Sequence, residues 1–109
     1  MTDPIYLDFN ATTPVAEEAR LAMDEAARLA WGNPSSAHAH GARARRMVER
    51  AREQLAELLG AEPGDVVFTG GGTESDNAAV LGVAAALAER GRRIVLSAIE
   101  HPAIEAAVR

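Results

Sequence analysis

The sequence contains no cysteine. Disulfides, thiolate metal sites and a cysteine nucleophile are therefore excluded within it. Lysine is missing as well, since all 11 basic residues are arginine, so no side chain of this chain can form a Schiff base. Aromatic residues make up 4% of the chain. Long apolar runs are also absent: the longest, near Ala78–Ala88, is too short to span a bilayer. The N-terminus carries Asp3 and Pro4 in place of a basic and apolar signal region, so the expected location is the cytoplasm. There is no excess of positive charge. A net charge of −5 argues against a nucleic-acid partner or an anionic membrane surface.

What is present fits one small domain of 109 residues with an ordinary hydrophobic fraction. Ile5-Tyr6-Leu7 is a short strand-like run. Thr13 and Pro14 suit a helix start, and apolar residues at helical spacing predict a helix from about Val15 to Ala30. Trp31 to Gly41, with Asn33-Pro34 and His38-Ala39-His40, reads as a loop. A second helix follows from about Ala42 to Leu59, its charged face solvated, and Gly60 stops it. Val66, Val67 and Phe68 suit a strand. Three glycines follow, then a third helix that is apolar nearly all round and runs to about Arg90. Ile94–Ser97 predicts a second strand, and Pro102 opens a last helix through Ala103–Arg109. Strand, helix and strand in this order predict an α/β fold: a βαβ unit of a mostly parallel sheet, preceded by an N-terminal helical segment. Two parallel strands and these helices do not bury both faces of a sheet. The chain therefore reads as the first part, residues 1–109, of a larger α/β domain.

The glycine turn is the centre of the chemistry. Gly70-Gly71-Gly72 between a strand and a helix gives positive φ where needed and bare backbone N–H groups. Thr73 offers a capping hydroxyl, with Glu74, Ser75 and Asp76 in the first helical turn. Such a turn is either a phosphate cradle or an unliganded capped loop. It lacks the Gly-Lys-Ser/Thr ending of a triphosphate loop and the spacing of a dinucleotide fingerprint, and Ser75 is not in a Gly-x-Ser-x-Gly elbow. His38 and His40 have no evident third metal ligand, so no metal site is expected. His101 follows the second predicted strand at its carboxyl end, the side on which ligands bind in parallel sheets. It either meets Gly72 and Thr73 at one ligand or caps the helix beside Pro102.

Four ordered segments resemble the cysteine desulfurases, pyridoxal-phosphate enzymes of the class V aminotransferase group. They are Tyr6-Leu7-Asp8-Phe9-Asn10-Ala11-Thr12-Thr13-Pro14, Gly32-Asn33-Pro34-Ser35-Ser36 with His38, Val67 to Asn77, and Glu100-His101-Pro102-Ala103. The resemblance covers nearly the whole chain. It implies the large fold of those enzymes, a homodimer, and pyridoxal 5'-phosphate as cofactor. It implies that Gly72 and Thr73 bind the cofactor phosphate and that His101 stacks on the pyridine ring and helps move protons. It implies that Asn33 and its loop lie near the substrate. The reaction implied converts L-cysteine to L-alanine and an enzyme persulfide, whose sulfur passes to an iron–sulfur scaffold or another acceptor protein. The family's Schiff-base lysine and persulfide cysteine have no counterpart here, so the chain alone is expected to be inactive. Selenocysteine lyases and other class V enzymes are related alternatives. A non-catalytic module that pairs through the third helix is an alternative of a different kind.

Overall fold

The computed structural model describes residues 4–109. The reading of the extreme N-terminus, which involves Asp3, lies outside them. The chain divides into two units, Met1–Val66 and Val67–Arg109.

The first unit contains two helices. α1 spans Glu17–Leu29, inside the span expected from apolar spacing. Its start is not the expected one. Ala16 is the N-cap and makes no side-chain cap bond, so Thr13 and Pro14 lie ahead of the helix. Glu17 and Glu18 in the first turn and Arg28 in the last complement the helix dipole. On its exposed side Arg20 bridges Glu17 at 2.5 Å and Asp24 at 3.0 Å. The Glu17 hydrogen bond raises the Arg20 guanidinium further above its usual pKa.

α2 spans Ala39–Leu59 and packs against α1 and against a 3-10 turn at Pro63–Asp65. It begins three residues before the expected Ala42. The reason is His38: its Nδ1 accepts the Gly41 N–H at 3.3 Å, which caps a turn that glycine content alone assigned to the loop. At the other end Gly60 sits at φ 65, ψ 33 and returns its N–H to the last carbonyls of the helix, the left-handed stop expected of it. The guanidinium of Arg52 donates to the Val66 carbonyl and ties the helix to the chain beyond the 3-10 turn.

The second unit contains α3, Gly72–Ala86, and α4, Pro102–Ala107, which pack on each other. α3 stops short of the expected Arg90. Residues 87–90 close in turns instead, with Arg90 N–H donating to Leu87 O at 2.8 Å.

The expected βαβ unit and parallel sheet are not formed. Among the described residues there is no strand. Residues 66–68 and 94–97 carry no regular structure, although Val66 has the extended angles φ −90, ψ 118. Local preference for β angles is therefore met at Val66, but a strand also requires a neighbour to exchange N–H and C=O bonds with. Among the described residues neither run forms a strand, and Val67 is 76% and Val95 82% exposed.

The buried apolar residues among those described are small: Ala44 and Ala56 on α2, and Ala103 on α4. α3 has no buried residue. No helix among the described residues is long and apolar enough to cross a membrane.

Candidate functional site

The glycine turn opens α3. Gly71 is the N-cap, with φ 160 and ψ 176, an extended conformation open to any residue. None of Gly70, Gly71 and Gly72 is in the left-handed region, so a left-handed turn is not what the three glycines supply. They supply space. A Cβ built on Gly71 or Gly72 meets nothing within 4 Å, and both border an open groove of about 790 Å³ that continues past Thr73, Asn77, Leu81 and Gly82.

Hydrogen bonds hold the turn on two sides. Thr69 Oγ1 lies 2.6 Å from Ser75 Oγ and donates to Gly71 O at 3.2 Å. Glu74 folds back so that Oε2 accepts the Gly70 N–H at 2.7 Å. Thr73 sits inside the first turn, and its hydroxyl does not cap the helix as expected. Its carbonyl instead accepts from Asn77 Nδ2 at 2.8 Å. The first helical bond is Ser75 N–H to Gly71 O at 3.1 Å. Among the described residues the amides of Gly71, Gly72 and Thr73 therefore have no acceptor, as first-turn amides generally lack one.

Glu74 was the residue sequence reasoning missed. It reads there as one acidic group favoured by the helix dipole. The signal was its place three residues after the N-cap, the spacing at which a Glu side chain reaches back to the chain ahead of the helix.

His101 is the N-cap of α4. Its Nδ1 accepts the Ala103 N–H at 3.2 Å, and its side chain is exposed. It does not line the groove at the glycine turn. The capping alternative raised from the sequence thus describes its present contact.

Asn33 belongs to the first unit. Its Oδ1 accepts the Ser35 N–H at 2.8 Å, an Asx turn that sets the start of the loop. Arg45 clamps the same loop from α2, Nε donating to Pro34 O at 2.8 Å and Nη2 to Ser36 O at 3.3 Å. His40 lies against Trp31, ring centroids 4.9 Å apart and tilted by 32°.

The profile of the class-V aminotransferase family matches residues 5–109. The chain belongs to that family. A cysteine desulfurase IscS of Dictyoglomus turgidum is 44% identical over 104 residues, 95% of this chain and 26% of its own length. A cysteine desulfurase IscS of Azotobacter vinelandii is 47% identical over 104 residues, 93% of this chain and 26% of its own. A selenocysteine lyase of Bos taurus is 51% identical over 79 residues, 72% of this chain and 18% of its own. The chain spans about a quarter of the length of the IscS relatives.

Class V members use pyridoxal phosphate, whose phosphate asks for N–H donors and for room beside them. The turn has both: three amides without an acceptor, and an open space that a Cβ on Gly71 or Gly72 would enter. The helix dipole adds a partial positive charge at the same place. An opposing feature is the Glu74 carboxylate on the neighbouring amide.

Proposed function

We propose that this chain is the phosphate-holding part of a pyridoxal-phosphate-dependent cysteine desulfurase, cytoplasmic and homodimeric. In that reading L-cysteine is the substrate and an iron–sulfur scaffold or other acceptor protein takes the sulfur. The observation that carries the reading is the row of bare amides at Gly71, Gly72 and Thr73 in a chain of this family.

Each residue has a part that its own chemistry supports. Gly71, Gly72 and Thr73 donate backbone N–H groups to the phosphate, and a contact of this charge-assisted kind contributes about 0.3 to 2 kcal/mol. Thr69 Oγ1, itself beside Ser75 Oγ, donates to Gly71 O and so engages the one carbonyl of the turn that would otherwise oppose the anion. His101 presents an exposed imidazole whose Nδ1 is already committed to Ala103, which leaves Nε2 to hold or pass a proton and the ring face to stack on an aromatic partner. Asn33, fixed by its own turn, borders the substrate. When bound, the cofactor supplies the electron sink for the carbanion formed from the amino acid. The covalent steps need a lysine amine and a thiol, and this chain has neither, so by itself it turns over no cysteine.

The test is an amide-resolved titration of the chain with pyridoxal phosphate, followed by borohydride. Shifts concentrated at Gly71, Gly72 and Thr73, no covalent cofactor on any side chain and no alanine from cysteine are expected. Shifts confined to other residues, or alanine formed by the chain alone, overturn the reading.

Selenocysteine lyase is a second reading, favoured by the 51% identity to the bovine protein over its shorter match. Sulfur and selenium substrates place the same demand on the phosphate turn, so the choice is made by comparing cysteine and selenocysteine as substrates of the enzyme that contains this sequence.

A further inference from the structure

We propose that Glu74 is a positioning residue of the phosphate site: its carboxylate holds the Gly70 amide so that the next three amides stay bare and aligned. This rests on the phosphate reading above. Three consecutive glycines have little conformational preference of their own, and a turn made of them is set by what ties it down. Two ties are present. Thr69 takes Ser75 Oγ and Gly71 O, and Glu74 Oε2 takes Gly70 N. Between them they engage the turn at its entry and at one carbonyl, and they engage none of the amides of Gly71, Gly72 and Thr73. The bonds that fix the loop thus leave those three amides unused, while Gly70 and Glu74 themselves also line the groove.

Gly70 is part of the same device. A Cβ there would lie 3.1 Å from Glu74 Oε2, so a side chain at position 70 would press on the carboxylate and shift it by a few tenths of an ångström. The arrangement also has a cost that gives it a signature. A carboxylate beside the turn repels the phosphate it helps to receive. Glutamine at 74 keeps an oxygen acceptor for Gly70 N–H and loses the charge, whereas alanine loses both. The two substitutions therefore act with opposite sign on phosphate affinity if Glu74 positions the turn, and with the same sign if it merely competes for the site.

The experiment uses the intact chain with inorganic phosphate as probe, comparing wild type, Glu74→Gln and Glu74→Ala. Hydrogen exchange at the Gly70 amide is expected to speed up about threefold or more in Glu74→Ala and to change little in Glu74→Gln. Phosphate is expected to bind about two- to fivefold more tightly to Glu74→Gln and more weakly to Glu74→Ala than to wild type. Equal Gly70 exchange in all three proteins overturns the proposal, as does tighter binding by both variants. If Gly70 exchange responds as expected but phosphate moves none of the three amides in any protein, the phosphate reading itself has failed, and the role given to Glu74 falls with it.

Discussion

Single atoms decide whether the loop over residues 30–41 keeps its form. A Cβ on Gly41 would fall 2.4 Å from Ser36 O and 2.6 Å from Asn33 O, and one on Gly32 would fall 2.8 Å from the His40 carbonyl. Those neighbours are backbone and have no rotamer to yield. Gly41→Ala is therefore expected to destabilise the first unit by about 1–3 kcal/mol, the usual range for overpacking. Gly64→Ala, whose Cβ meets nothing within 4 Å, is the comparison expected to change little. Urea titration of both variants checks this, and equal midpoints would refute it. Sequence reasoning identified Gly41 as a loop glycine. It had no means of finding that the residue sits inside the first turn of α2, because the contact that demands a glycine comes from atoms five and eight residues earlier.

For elements, the caps carry the argument. Gly60 closes α2 in a left-handed conformation, and Gly60→Ala is expected to cost about 1 kcal/mol, read as a loss of helical signal and a lower melting midpoint. His101 serves α4 through Nδ1 alone. His101→Ala is expected to lose the cap, about 0.5–2 kcal/mol, whereas His101→Asn keeps an acceptor at the N-cap and removes the ring. If the imidazole also contacts the cofactor, the two variants weaken pyridoxal phosphate binding alike while differing in α4 helicity. Were His101→Asn to bind the cofactor as well as wild type, His101 would be a cap and nothing more. The helices were legible in the sequence because apolar spacing, Gly60 and Pro102 act within a few residues. The strands were not. Val66, Val67 and Phe68, and likewise Ile94 to Leu96, have the composition of strands, but pairing is decided by segments far along the chain, and here the two runs do not join.

At the scale of the whole molecule, the buried apolar residues among those described are few and small: Ala44, Ala56 and Ala103. Leu81 and Val83 of α3 are 51% and 59% exposed, Leu87 at its C-cap 42%, and Trp31 69%. Burial on this scale offers little to offset conformational entropy. By itself the chain is expected to bind a hydrophobic dye and to leave Trp31 open to a soluble quencher. Absence of dye binding, with Trp31 shielded, would contradict this. The apolar character of α3 is plain in the sequence, yet none of its residues is buried. The loop over residues 30–41 behaves differently. The bonds from Asn33 to Ser35 and from Arg45 to Pro34 and Ser36, with Gly32 and Gly41 pressed on backbone of the same stretch, all close within a short span. Its form is thus portable: spliced together with the first turns of α2 into an unrelated helical host, it should arrive already tied.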